Sequence, residues 1–240
     1  MQKDIPCLVI QPSTMTEGKN DEKCYPSIYL LHGYSGDYKG YADNMDDLGA
    51  LADEYQIILV CPDGGFNSWY FDDFYDKKVC YETFIAKELV EYIDGHYPTI
   101  ANKAHRAISG LSMGGHGALF LAIRHPDTYG AAGSMSGGVD LCPFPLQWEI
   151  HHRLGHFLLH RARWKQHSVT NLLAQIPKDL KLRIECGSDD FFLSVNRAFH
   201  KKLLEANIPH EYAEAHGDHN WDYWKPATHS QLAFLRNIIK

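Results

Sequence analysis

The stretch that most constrains this chain is ISGLSMGGHGALFLAIRHP, residues 108–126. A strand-like run over residues 106–110 leads into Gly-Leu-Ser-Met-Gly, and an Ala/Leu-rich run follows over 113–125. The pattern predicts a buried strand, a very short turn and a helix. Ser112 sits in the turn, with Gly110 two residues before it and Gly114 two after. Side chains at those positions would collide across so sharp a bend. A serine held there takes unfavourable dihedrals and projects its hydroxyl above the sheet edge. The Met113 amide, at the helix start, then faces any negative charge that develops beside that hydroxyl. A plain glycine-rich helix cap is the competing reading, and the strand before and helix after weigh against it.

The same alternation runs through the chain. Strand-like runs fall at residues 7–11, 27–32, 56–62, 106–110, 130–135, 182–186 and 211–215, and helix-like runs at 41–55, 80–96, 113–125, 194–207 and 221–239. Several strands are continuous apolar runs, as expected when helices cover both faces of a mostly parallel sheet. This predicts a single α/β domain over residues 1–240, with ligands beyond the carboxyl ends of the strands. Two segments exceed ordinary connections: an aromatic loop at 63–78 containing WYFDDFY, and an insertion at 137–180 expected to act as a lid or pocket wall.

Composition narrows the partners. A chain of 240 residues, 45% hydrophobic, is large enough for one sizeable core. Its net charge of −7, from 30 acidic and 23 basic side chains without a Lys/Arg cluster, argues against nucleic acid and against strongly anionic substrates. No apolar run is long enough to cross a membrane, so no membrane partner is expected. The start, MQKDIPCLVIQP, has no signal-peptide core and enters a strand almost at once, which reads as cytoplasmic or as a fragment of an exported protein. The six cysteines form no zinc-ligand spacing, and the redox compartment stays open, as does the oligomeric state, a homodimer included.

A serine hydroxyl is a weak nucleophile until a base, oriented by a third group, takes its proton. Two later segments offer these groups, each a strand ending in a loop: KLRIECGSDDFFL and YAEAHGDHNWDYW. Asp189 and Asp190 are adjacent, and local sequence does not separate them. His219 is favoured over His216 because it sits in the loop directly before the helix that starts near Trp221. A glycine after the strand at 27–31, in His32-Gly33-Tyr34, lets the backbone turn an amide toward the site.

With LLHGYSG, GLSMGGHGA, GSDDFF and HNWDYW present in that order, the chain resembles the esterase D-type family of α/β-hydrolases. That family includes S-formylglutathione hydrolases, feruloyl and acetyl-xylan esterases, tributyrin-type esterases and the antigen 85 mycolyltransferases. The resemblance covers the chain from about Cys7 onward. It implies an α/β-hydrolase fold, Ser112 as nucleophile, Asp190 as acid, His219 as base, and the Tyr34 and Met113 amides as the oxyanion hole. It needs no cofactor. Compared with the family the chain lacks a first edge strand, which leaves its native start open.

The expected activity is ester hydrolysis through an acyl-enzyme, on small acyl or feruloyl esters, carbohydrate-linked ones among them. A thioesterase or acyltransferase on the same scaffold is the alternative, and a non-catalytic carbohydrate-binding protein is the alternative of another class. Trp69, Tyr70, Phe144, Trp148 and Trp221 are the expected substrate-binding residues, because aromatic density in the loop and insertion suits a phenolic or sugar group. His152, His156 and His160 recur at helical spacing, but no carboxylate accompanies them and no metal is expected.

Overall fold

The computed structural model describes residues 1, 3–13 and 23–240. Among the described residues seven strands form one sheet in the order β1-β3-β2-β4-β5-β6-β7. They are β1 Cys7–Ile10, β2 Ser27–Leu31, β3 Ile58–Pro62, β4 Arg106–Gly110, β5 Ala131–Met135, β6 Lys181–Gly187 and β7 Glu211–Ala215. Only β1 runs antiparallel, pairing Cys7 with Pro62 on β3. The other pairings are parallel.

Alternation along the strands divides the core in two. Ile28 and Leu30 on β2 share a buried cluster with Leu48 and Leu51 of helix α2 (Leu48–Tyr55) and with Leu232 and Leu235 of α9 (Trp221–Ile238). Tyr29 and Leu31 belong to the opposite cluster, with Ile93 of α4 (Leu89–His96), Leu119 of α5 (Met113–Arg124) and Phe199 of α8 (Leu193–Glu205). Helices therefore cover both faces, which is why strands such as β2 and β3 read as largely apolar runs.

Two expected helices differ in detail. The run at 41–55 divides into α1 (Gly40–Asn44) and α2, because Met45 is extended and ends the first helix before α2 begins at Leu48. The run at 80–96 divides into α3 (Tyr81–Thr83), a π-helical segment Phe84–Glu88 and α4, which stops before Tyr97. Tyr97 is extended because Pro98 follows it. The insertion at 137–180 carries α6 (Ile150–Leu154), α7 (Arg161–His167) and two 3-10 turns. His152, His156 and His160 do not share one helix face, since Gly155 at φ 77° interrupts the chain between α6 and α7. Among the described residues no helix is long and apolar enough to cross a membrane.

The insertion is tied to the helix that follows Ser112. His116 Nε2 donates to the His167 carbonyl at 2.7 Å, and the two rings pack around Phe71 and Phe120. Burial lowers His116 to about 3 and lowers His167 too. A neutral ring in the folded chain meets an unfolded chain that takes up a proton near pH 6.5, so this contribution is complete above that pH and declines below it. For His116 the decline is about 1.4 kcal/mol per pH unit. Urea midpoints are expected to fall further from pH 6.5 to pH 5 for the wild-type chain than for His116→Gln, which retains a donor for the His167 carbonyl. Parallel curves for the two would contradict this account.

Candidate active site

The turn at Ser112 shows why both flanking positions are glycine. A Cβ on Gly110 would lie 2.5 Å from the carbonyl of Gly114, and a Cβ on Gly114 would lie 2.1 Å from the Leu31 carbonyl oxygen. Both obstacles are backbone and cannot yield. Ser112 itself takes φ 56° and ψ −117°, a conformation that L residues avoid. It is held there by its own amide, which donates to the Met135 carbonyl at 2.9 Å, and by Gly114 N–H on the Leu111 carbonyl at 2.8 Å.

Three side chains from separate strand ends meet at this turn. Ser112 Oγ lies 2.8 Å from His219 Nε2, and His219 Nδ1 lies 2.7 Å from Asp190 Oδ2. Asp190 follows β6 and its side chain is fully buried, with Oδ1 accepting the Phe192 amide at 2.7 Å. Its carboxylate fixes the tautomer that puts the proton on Nδ1 and leaves Nε2 free to accept from the hydroxyl. The neighbouring aspartate faces solvent: Asp189 is 55% exposed and pairs with the exposed His216 at 3.0 Å. His219 is framed by Phe191, Phe192 and Trp224, with the Phe191 centroid 4.2 Å away. Asn220 then caps α9 by accepting from the amides of Asp222 and Tyr223.

The turn after β2 lies alongside. A Cβ on Gly33 would come within 3.3 Å of Ser112 Cβ, so the two turns pack almost backbone to backbone. The amides of Tyr34 and Met113 donate to no protein acceptor among the described residues, while the Ser35 amide is used on the Phe66 carbonyl at 2.8 Å. His32, which the sequence reading left without a role, braces this turn. Its Nδ1 donates to the Gly33 carbonyl at 2.7 Å and its Nε2 accepts the Gly64 amide at 2.7 Å, an arrangement that requires the neutral ring. Burial lowers its pKa in the same sense.

The aromatic expectations divide. Trp148 and Trp221 line a cleft of about 300 Å³ over Ser112 and His219, together with Tyr34, Leu111, Phe191 and Trp224. Trp69 and Tyr70 do not reach it and are buried. Both have positive φ. Tyr70 lies against Gly117, whose missing side chain makes room for the ring, and its hydroxyl donates to the His32 carbonyl at 2.9 Å. Trp69 Nε1 donates to the Trp148 carbonyl at 3.2 Å. Phe144 stands behind the cleft wall, packed on Trp148 and Phe192 at 5.3 and 5.2 Å. Phe191 and Trp224 were missed as wall residues, although both stand inside quoted motifs, GSDDFF and HNWDYW.

Comparison with known proteins places this geometry in context. The model of the Esterase family matches residues 1–235. An acetyl esterase of Caldicellulosiruptor saccharolyticus is 24% identical over 90% of this chain and 85% of its own. An S-formylglutathione hydrolase of Bos taurus is 26% identical over 72% of this chain and 66% of its own. Among solved structures, a ferulic acid esterase superposes with a TM-score of 0.81 at 29% identity, covering 97% of this chain and 92% of that one.

The burial contrast between the adjacent aspartates has a direct consequence. Asp190→Asn is expected to lower turnover of p-nitrophenyl acetate by about 10³-fold or more, because the imidazole loses its orienting carboxylate. Asp189→Asn is expected to stay within about threefold of wild type, since an exposed pair carries little energy. Steady-state kinetics of the two variants check this; the reverse ranking would move the acid to Asp189.

Proposed function

Because this chain belongs to the Esterase family and is a serine esterase of the α/β-hydrolase fold, we propose that it hydrolyses small acyl or feruloyl esters, carbohydrate-linked ones among them, through an acyl-enzyme on Ser112. The observation that carries the reading is the unbroken hydrogen-bonded line from Ser112 through His219 to the buried Asp190, with two unused amides beside it.

The steps follow from that geometry. Ser112 Oγ attacks the ester carbonyl carbon as its proton passes to His219 Nε2. The carbonyl oxygen becomes an oxyanion that accepts from the Tyr34 and Met113 amides, the latter at the start of α5, where the helix dipole adds to the field. Each such donor is worth about 10²–10³ in rate. Asp190 stabilises the imidazolium without taking its proton. As the intermediate collapses, the ester C–O bond breaks and the departing alcohol takes the proton from Nε2. Water then attacks the acyl-enzyme with His219 again as base, releasing the acid and restoring the hydroxyl. An alcohol in place of water would make the same intermediate an acyltransferase, which is why transfer remains the neighbouring activity.

The character of the cleft supports the choice of ester. Its walls are largely aromatic, and among the described residues no lysine or arginine lines it. A neutral phenolic or acetyl ester leaves no charge unpaired there, whereas the carboxylates of a glutathione thioester would lose hydration without gaining a partner. The likeness to a ferulic acid esterase points the same way. The bovine S-formylglutathione hydrolase among the relatives sustains the thioesterase as the second reading.

Ser112→Ala is expected to lower p-nitrophenyl acetate hydrolysis by at least about 10³-fold while circular dichroism stays unchanged. Among natural-type substrates, feruloyl-arabinose and acetyl-xylan are expected to exceed S-formylglutathione in kcat/KM. A dominant preference for the glutathione ester would replace the proposed substrate class with the second reading.

A further inference from the structure

The aromatic loop at 63–78 fastens two parts of the site from adjacent residues. The Phe66 carbonyl accepts the Ser35 amide at 2.8 Å, which ties the loop to the turn after β2. The next residue, Asn67, faces the insertion. Its Nδ2 donates to Glu149 Oε2 at 2.6 Å, and its Oδ1 accepts from a terminal nitrogen of Arg153, in α6. Arg153 Nε also donates to the Asn67 carbonyl at 3.3 Å, and its other terminal nitrogen pairs with the buried Asp73 at 2.6 Å. A guanidinium only donates and an ionised carboxylate only accepts, so a residue between them must do both. The amide of Asn67 does so from two atoms held in one plane.

This clamp holds the wall of the cleft. Trp148 and Glu149 have φ 46° and 54°, two successive non-glycine residues in the left-handed region, a conformation that persists where surrounding contacts over-determine it. The contacts here are the Glu149 carboxylate on Asn67 and the Trp148 carbonyl, which accepts from Trp69 Nε1 at 3.2 Å. Both donors stand in the one loop. The Trp148 ring lines the cleft over Ser112 and lies nearly parallel to Phe191, at 20° and 5.4 Å. An acetyl group ends at the methyl beyond the ester carbonyl and makes little use of that wall. A feruloyl group carries an aromatic ring into the cleft and gains most from a partner ring held at fixed distance and tilt.

We propose that Asn67 is a positioning residue that sets acyl-group specificity: by bridging Arg153 and Glu149 it fixes Trp148 as the wall against which an aromatic acyl group packs. This rests on the reading above that feruloyl esters are substrates. Asn67 does not line the cleft and acts through Trp148. Releasing it loosens the backbone at Trp148 while the rings of Phe191, Phe192 and Trp224 still frame His219, so the loss falls first on aromatic acyl groups.

The test compares kcat/KM for p-nitrophenyl acetate and p-nitrophenyl ferulate, which share a leaving group, per Ser112 site labelled by a fluorophosphonate. Asn67→Asp keeps the acceptor for Arg153 but sets a second carboxylate against Glu149. It is expected to lower the ferulate value about tenfold, the scale of one hydrogen bond to a charged group, and the acetate value no more than about threefold. Glu149→Gln, whose amide oxygen still accepts from Asn67, is expected to stay within about twofold of wild type on both esters. In Asn67→Asp/Glu149→Gln the amide and the carboxylate exchange places and the bond re-forms with its donor reversed. Ferulate hydrolysis by this double variant is expected to return to within about threefold of wild type. An equal loss on both esters, no loss on the ferulate, or a double variant as slow as Asn67→Asp would overturn the proposal. Should Asn67→Asp not fold, Glu149→Ala cuts the same bond from the other end, and an unchanged ferulate-to-acetate ratio there overturns it equally. The underlying reading fails differently: a labelled wild-type chain that hydrolyses the acetate and leaves the ferulate intact overturns that reading, and the proposal with it, before any variant is made.

Discussion

The close approach of Gly114 to the Leu31 carbonyl is the contact on which the site depends. It presses the turn after β4 against the end of β2, so the segment carrying Ser112 and the segment carrying Tyr34 lie side by side. Gly110, Gly114 and Gly33 each stand where a Cβ would meet an immovable neighbour or the other turn. Without that freedom of approach the two turns could not lie side by side. The glycines set the spacing of the two turns as much as they relieve the strain of the serine.

A strained turn needs a stiff support, and the buried aromatics provide it. Tyr70 fills the space left by Gly117 on α5 and donates to the His32 carbonyl, joining the helix after Ser112 to the turn after β2. Trp69 reaches from the same loop to the Trp148 carbonyl on the insertion. His32 and His116 stay neutral inside the protein, each with a backbone partner, because burial makes the charged ring costly. The polar groups near the serine are thus mostly structural. Only Asp190 and His219 lie in line with its hydroxyl.

This division explains what the sequence reveals and what it hides. The elbow is legible because its causes are local: a strand, a bend too tight for side chains, and a helix within a dozen residues. The strand order around it is legible because both-face burial leaves continuous apolar runs. The choice between Asp189 and Asp190 is different, since burial there is decided by β7 and its following loop. A Cβ on Gly187 would lie 2.3 Å from the Gly217 carbonyl, so these two loops interlock and enclose Asp190. No local pattern contains that contact; the resemblance to a family supplied the choice instead. The aromatic loop misleads for a related reason. Density of aromatics carries no direction: Trp69 and Tyr70, which composition would place in the cleft, are buried and donate to the Trp148 and His32 carbonyls. The Asn67–Glu149 hydrogen bond had no signal at all, because its two ends lie far apart in the chain.

The cleft wall and the chemistry share residues, and that sharing constrains how the substrate range of such a site can change. Trp148 belongs to the insertion, yet its ring stacks on Phe191, the residue after Asp190, and Phe191 in turn lies against the His219 ring. A substitution that widens the cleft at Trp148 therefore removes packing from the acid loop, and one at Phe191 uncovers the imidazole. Trp221 is tied in the same way: it packs edge to face on Tyr41 and on Trp224, and Trp224 lies 4.9 Å from the His219 ring. On physical grounds both walls reach the imidazole through one intervening ring, so reshaping either side of the cleft also disturbs the packing that holds His219.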